Sequence, residues 1–308
     1  MAKWLRAVKQ IVLGKPVSCT IQVTERCNLS CLMCGYWKKP CKDGLSINDF
    51  EEIRDRLKDL DVCVVGLSGG EPFLRKDFLD IVDVFRRDFY TAVTTNGTLL
   101  SDDLCSNLKS DSCFVSVDSA IPHMHDDIRG RKGVWDMAIK GLLNLRENYK
   151  GISGMMCVVS KLNFPGRIKG VINLAGSLGV YLHFQPYCHL KTGADLGGID
   201  GVSEFLLAER KRHKFIVSSK PYLERFDAAL KWGVENCLAG QAFFNIQANG
   251  DVTRCADDRT KFGDVWNFPD FPLEKTDCAD CWYSCRGEVE SFYKKKFSKL
   301  LSLKRILF

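Results

Sequence analysis

Residues 27–34 read Cys27-Asn28-Leu29-Ser30-Cys31-Leu32-Met33-Cys34, a CxxxCxxC pattern a few residues after the β-branched run Cys19–Val23. Three thiolates on one short loop can ligate three irons of a [4Fe-4S] cluster and leave the fourth iron open to another ligand. A structural zinc site would need a fourth protein ligand, and Cys41 stands near enough to be the rival for that place.

Outward from this loop, short β-branched runs alternate with longer amphipathic segments. Strands are expected at Cys19–Val23, Val62–Ser68, Tyr90–Thr95, Cys113–Asp118, Gly154–Ser160 and Val180–Tyr187. Between them apolar residues recur at three- and four-residue spacing, which predicts helices over Ile47–Leu60, Asp77–Arg87, Ser101–Lys109, Val134–Asn148 and Arg167–Leu178. This repeat implies an α/β fold with a parallel sheet covered by helices, a partial (β/α)6 TIM barrel. Polar residues gather at the strand ends: Ser68-Gly69-Gly70-Glu71, Thr95-Asn96-Gly97, Asp118-Ser119 and Gln185-Pro186. The C-terminal edge of such a barrel is where chemistry sits, so these ends should converge on one site. Tyr187, His189 and Lys191 follow the last of them and are expected to face the substrate.

After about residue 200 the repeat stops. Helical stretches at Val202–Val217 and, past Pro221, up to Trp232 lead to Cys237. Phe243–Gln247, Asn249-Gly250 and Asp251–Arg254 then predict a β-hairpin with a type I′ turn, delivering Cys255 close to Cys237.

Composition narrows the class. Hydrophobic residues are 45% and charged residues 27% of 308, as in an ordinary globular protein. No apolar run approaches the roughly 20 residues a transmembrane helix needs. Lys9 and Lys15 interrupt the apolar start, which makes a poor signal peptide, so a cytoplasmic location is expected. The net charge of +6 is concentrated in the tail (Lys294–Lys296, Lys299, Lys304, Arg305), which speaks against a nucleic-acid-binding body. Fifteen cysteines in such a chain point to metal or redox chemistry rather than disulfides. Seven of them (Cys19, Cys41, Cys63, Cys105, Cys113, Cys157, Cys188) are scattered, and the expectation for those is small buried hydrophobes.

CxxxCxxC after the first strand, followed by Gly69-Gly70-Glu71-Pro72 after the second, resembles the radical S-adenosylmethionine (SAM) superfamily over about residues 17–190. The resemblance implies that Cys27, Cys31 and Cys34 hold a [4Fe-4S] cluster and that SAM chelates its open iron. It places Gly69, Gly70 and Glu71 along the SAM amino group, Asn96 at the third strand end, and Ser116 and Asp118 at the fourth, with Ser116 on the ribose. His125-Asp126-Asp127-Ile128-Arg129-Gly130 is similar to the family's HDxxRG segment, which puts Arg129 near the SAM carboxylate. Met33 would pack on the adenine. The implied activity is reductive cleavage of SAM to a 5′-deoxyadenosyl radical that abstracts a substrate hydrogen, with an electron donor such as flavodoxin or ferredoxin as partner.

Cys237, seventeen intervening residues, Cys255, then Cys278-x2-Cys281-x3-Cys285 make a second metal-binding pattern. It resembles the Twitch or abbreviated SPASM extension, a small cysteine-rich α+β domain holding an auxiliary [4Fe-4S] cluster. Cys237, Cys255, Cys278 and Cys281 are the expected ligands; Cys285 could replace one of them, and a zinc ribbon is the alternative. An auxiliary cluster could accept the electron left by hydrogen abstraction, which favours a net oxidation or a crosslink. The expected organisation is an amphipathic segment (1–16), the barrel (17–218), the auxiliary domain (219–290) and a basic amphipathic tail (291–308). Trp4, Leu5, Val8, Ile11 and Val12 share one helical face, and the tail repeats the pattern, so peripheral membrane contact competes with packing on the barrel. Fewer than 20 residues precede the first strand, so a fused peptide-recognition domain is not expected. A peptide, a lipid or a small metabolite remains open as substrate. The competing class is a non-catalytic iron–sulfur or zinc protein serving electron transfer or scaffolding.

Overall fold

In a computed structural model, which describes residues 3–38, 41 and 43–293, the chain opens with helix α1 (Lys3–Leu13) and then alternates strands with helices. The order is β1 (Ser18–Thr24), α2 (Ile47–Asp59), β2 (Val64–Gly69), α3 (Phe78–Phe85), β3 (Tyr90–Thr95), α4 (Asp102–Asn107) and β4 (Ser112–Ser116). It continues with α5 (Pro122–Arg129), α6 (Val134–Asn148), β5 (Ile152–Val159), α7 (Ile168–Leu178) and β6 (Tyr181–Pro186). Beyond these come α8 (Val202–Arg212), α9 (Lys220–Leu223), α10 (Phe226–Lys231), β7 (Phe243–Ile246), β8 (Asp251–Thr253), β9 (Lys261–Asp264) and α11 (Ser284–Tyr293).

Strands β1 to β6 pair in parallel in chain order, as the strand–helix repeat predicts. The later strands do not form a sheet of their own. β7 pairs in parallel with the free side of β1, and β8 and β9 continue antiparallel, giving the single order β6-β5-β4-β3-β2-β1-β7-β8-β9. The hairpin turn also differs from expectation. Gln247 N–H donates to Asp251 O and Gly250 N–H to Gln247 O, and of the turn residues Gly250 (φ +90°) takes positive φ while Asn249 does not. Three residues therefore close the hairpin, with glycine at the left-handed position, where a type I′ turn would need two.

Alternation along the strands explains the barrel's hollow centre. Ile21, Val65, Val93, Val115, Cys157 and Phe184 belong to the buried core beneath the helices. Each buried Val, Ile or Phe contributes roughly 1.5–3 kcal/mol relative to exposure. The alternate residues Thr20, Gly66, Ala92, Ser116 and Met156 line a lumen instead. Ordinary TIM barrels fill that space with bulky branched side chains; here Thr20, Gly66, Ala92 and Ser116 leave it open, with Phe114 and Met156 as larger neighbours.

Helix α11 bridges the two margins of the incomplete barrel. Ser284 and Glu288 bond Gln185 and His183 of β6, the Tyr293 hydroxyl donates to the Lys15 carbonyl ahead of β1, and the helix packs on α9, β1 and β7. Helix α1 packs against the other end of the barrel. Ala7 and Gln10 are buried, Gln10 Nε2 donates to Leu60 O (2.6 Å), Arg6 to the Val62 and Asp88 carbonyls, and Lys9 pairs with Asp61. The face expected to meet a membrane is thus partly spent on the barrel, while Val12 and Leu13 are exposed; the Trp4 and Leu5 side chains and tail residues 294–308 lie outside the described residues. Among the described residues no helix is long and apolar enough to cross a membrane.

Two glycines separate crowding from backbone strain. A Cβ at Gly70 would stand 2.1 Å from Arg26 O, whereas Gly133 has φ +79° and nothing within 4 Å. Gly133→Ala is expected to cost about 1 kcal/mol, the left-handed penalty alone. Gly70→Ala should cost about 3 kcal/mol or more, because two backbones must separate; anaerobic denaturant unfolding of the two variants measures both.

Candidate active site

The cysteine loop is held by backbone on two flanks. Gly70 N–H donates to Thr24 O and Glu71 N–H to Arg26 O, both at 2.8 Å, in the stretch leading to Cys27. A Cβ at Gly69 would lie 2.2 Å from Thr24 O. The glycine pair is thus required by contact with the chain's own backbone, in addition to any ligand the sequence suggested for it. On the other flank Leu32 N–H donates to Ile128 O (2.9 Å), Ser30 Oγ donates to Gly130 O (3.0 Å), and a Cβ at Gly130 would stand 2.4 Å from Ser30 O. Asn96 Nδ2 donates to Asn28 Oδ1 (2.8 Å), which pins the loop to the end of β3.

The His125–Gly130 segment is helix α5 itself, started by Pro122 and stopped by left-handed Gly130 (φ 71°). That Pro–Gly bracket is the signal in the sequence that would have marked it as a full helix. Asp126 accepts the Gly133 and Trp135 amides and so fastens the start of α6. His125 Nδ1 accepts from the Asp118 amide (3.2 Å), and burial lowers its pKa to about 4, so the ring is neutral. Arg129 pairs with Asp118 Oδ2 at 2.6 Å and reaches Cys31 Sγ at 4.0 Å, placing a buried guanidinium beside the thiol triplet.

Glu71 is fully buried. Thr95 Oγ1 (2.7 Å) and Phe73 N–H (3.2 Å) donate to Oε1, and Asn96 N–H (2.8 Å) donates to Oε2. Burial nonetheless pushes its carboxyl up to about 7, against the opposing pull of these donors and Arg129.

These elements surround one cavity of about 650 Å³. Cys27, Cys31, Cys34 and Met33 open onto it, as do Gly69, Gly70, Asn96, Ser116 and Arg129. Glu71 and Asp118 stand behind its wall, Glu71 bracing the end of β3 and Asp118 holding Arg129 and the Val158 amide. Tyr187 lines it too, with its hydroxyl bound to Thr192 and Ala194; His189 is exposed away from it, and the Lys191 side chain is outside the described residues.

The triplet suits a cluster better than an ion. Among the described residues no three His, Cys, Asp or Glu side chains converge tightly enough to hold a single metal ion, and Cys41 is exposed and meets Asp43 instead. A cubane is larger than an ion, and Cys27, Cys31 and Cys34 all face a cavity rather than one point. Burial pushes Cys27 up to about 11 and raises Cys31, so a metal's charge is needed to hold them as thiolates.

The late cysteines divide in two. Cys237, Cys255 and Cys278 share one small apolar cluster with Phe243 and Val289, and Cys281 lies within electrostatic reach of Cys255. Cys285 turns to the main cavity, as does Cys188 at the end of β6, which is buried as its sequence context suggests; of the scattered seven, Cys41 is the one that is exposed instead. Sequence reasoning also missed the lumen pair His183 Nε2···Glu288 Oε1 (3.1 Å) and the fully buried pair Arg286 Nε···Glu290 Oε1 (2.9 Å). The first joins α11 to a residue 105 positions away, which periodicity cannot reveal; the second has helical i,i+4 spacing, and only its burial is hidden in the sequence.

The family model described as the Radical SAM superfamily matches residues 21–165. The chain is 27% identical over 309 residues to the mycofactocin maturase MftC of Mycobacterium ulcerans (strain Agy99), covering 89% of this chain and 83% of that one. It is 34% identical over 251 residues to the sporulation killing factor maturation protein SkfB of Bacillus subtilis (strain 168), covering 78% of this chain and 60% of that one. The crystal structure of Streptococcus suis SuiB bound to precursor peptide SuiA matches with a TM-score of 0.68 at 17% identity, covering 98% of this chain and 74% of that one, a likeness of fold. With the thiol loop, the glycine-braced strand end and the open lumen in place, residues 21–165 carry a radical SAM domain, and the chain is an enzyme that uses a [4Fe-4S] cluster and SAM.

Proposed function

We propose that this enzyme matures a peptide by a net oxidation or crosslink, with Cys237, Cys255, Cys278 and Cys281 holding an auxiliary [4Fe-4S] cluster. One observation carries it: the three early thiols and the inner edge of the late cysteine unit, through Cys285 and Cys188, open onto the same cavity. The maturases among its relatives, and the peptide-bound structure that shares its fold, favour a peptide over a lipid or a metabolite. With cluster and SAM bound, the site supplies one-electron cleavage of the sulfonium and a 5′-deoxyadenosyl radical that takes a substrate hydrogen atom.

The chain's own residues do the positioning. Arg129, fixed by Asp118, offers its guanidinium to the SAM carboxylate; Asn96 and Ser116 present polar groups along the cavity wall; Met33 supplies an apolar surface for the adenine. Glu71 holds the β3 end in place through Thr95 and the Asn96 amide, one layer back from the cavity. Electrons enter from a flavodoxin or ferredoxin at the exposed Trp37, whose indole N–H donates to the Cys31 carbonyl (3.3 Å) with Lys38 beside the ring.

Anaerobic reconstitution should load about eight irons per chain, and replacing Cys27, Cys31 and Cys34 together by Ala should leave about four. Dithionite and SAM should then give 5′-deoxyadenosine with the parent and none with the triple variant. A parent that binds four irons and still forms 5′-deoxyadenosine would remove the auxiliary cluster from this account.

Glu71 gives a pH signature. Its carboxyl is raised from 4.5 to about 7, so between these values the folded metal-free protein keeps a proton that the unfolded chain has lost. Stability is therefore expected to fall as pH rises from 4.5 to 7. Glu71→Gln should abolish this contribution to the slope, read from thermal melts across that range.

A further inference from the structure

Arg286 is the largest fully buried side chain of the protein, and its surroundings are unusual for a residue of the fold alone. It lies in the first turns of α11, one position after Cys285. Its Nη1 donates to the Cys281 carbonyl (2.7 Å), and its Nη2 donates to the carbonyls of Val234 and Glu235 (3.2 Å to the latter). Its Nε pairs with Glu290 Oε1, and that same oxygen accepts the Leu238 amide at 2.8 Å. The pair thus grips the chain on both sides of Cys237 and at Cys281 together. The guanidinium also lies within electrostatic reach of the Cys237, Cys278 and Cys281 sulfurs.

We propose that Arg286 is the positioning residue of the auxiliary cluster: its fork sets the two ligand-bearing segments at their spacing, and its fixed positive charge favours the cluster's reduced state. It rests on the auxiliary-cluster assignment made above. An arginine keeps its charge at any working pH, and its planar fork can hold several carbonyls at once. Net charge and burial are among the levers that set an iron–sulfur potential. A buried cation stabilises the extra electron of the reduced cluster, and Glu290 opposes it from farther out. The opposite signs of the two partners give the test its direction.

The parent for the test is the full chain carrying Cys27→Ala, Cys31→Ala and Cys34→Ala, which leaves the auxiliary site alone. Iron content and an EPR-monitored redox titration are read for Arg286→Gln, Arg286→Lys and Glu290→Gln on that background. Arg286→Gln should lower the midpoint so that the reduced-to-oxidised ratio at the parent's midpoint falls at least tenfold, about 59 mV for one electron. Glu290→Gln should raise the midpoint, and Arg286→Lys, which keeps the charge and loses the fork, should keep the parent's midpoint while taking less iron. If Arg286→Gln takes no iron while Arg286→Lys takes part of the parent's load, fork and charge are both supported; an Arg286→Lys that loads as fully as the parent overturns the positioning role. Charge variants that all titrate with the parent overturn the proposal, and so do Arg286 variants that both lose iron together with their folded circular-dichroism signal. A parent that takes zinc and no iron, with Arg286 intact, defeats the cluster assignment itself.

Discussion

Contact between backbones, closer than any side chain would allow, fixes the loop that carries Cys27, Cys31 and Cys34. Thr24 and Arg26 meet Gly69 and Gly70 on one side, and Ser30 meets Gly130 on the other. A thiol loop anchored through side chains would move as their rotamers move. Anchored through amides and carbonyls, it inherits the rigidity of β2 and α5. The position of the three sulfurs relative to the lumen then follows from the sheet, because Gly69 stands in register with Thr24 at the end of the β1–β2 ladder.

Electrostatics repeats one device at both thiol sites. Arg129 with Asp118 stands beside the early triplet, and Arg286 with Glu290 stands beside the late group. Each pair is nearly or wholly out of water, so the cost of dehydrating two ions is met only where further hydrogen bonds complete the geometry. Arg286 has them in the carbonyls of Cys281, Val234 and Glu235. Arg129 leaves Nε buried and without a partner. An unsatisfied donor at the cavity wall is tolerated where a ligand completes it, and this distinguishes Arg129 from Arg286, whose donors are all taken up.

Much of this was legible in the residues. β3 and α6 occupy the spans their patterns predict, because alternation and three-to-four spacing are local and strong there. The early cysteines, the glycine pair, Asn96 and Ser116 all reach one cavity, as their places at or just after strand ends imply, and Arg129 joins them from the end of α5. What the sequence hides depends on partners far along the chain. Glu71 and Asp118 look like ligand contacts by motif, yet their carboxylates are taken up by Thr95, Asn96, Val158 and Arg129. Helix α11 escapes a periodicity reading altogether, since Arg286, Glu288 and Glu290 are charged residues on a buried face, matched by His183, Ser219 and one another. The type I′ turn fails for a local reason: Asn249 keeps a negative φ because the loop has a third residue.

Helix α11 closes the lumen with residues 284–293, some 250 positions after the first cysteine loop. A ribosome delivers this chain from its N-terminus, so for most of synthesis the chamber has one wall missing. Through that interval the early thiols face the outside, within reach of whatever donates iron and sulfide. The order of translation thereby permits the first cofactor to be installed before the wall is completed.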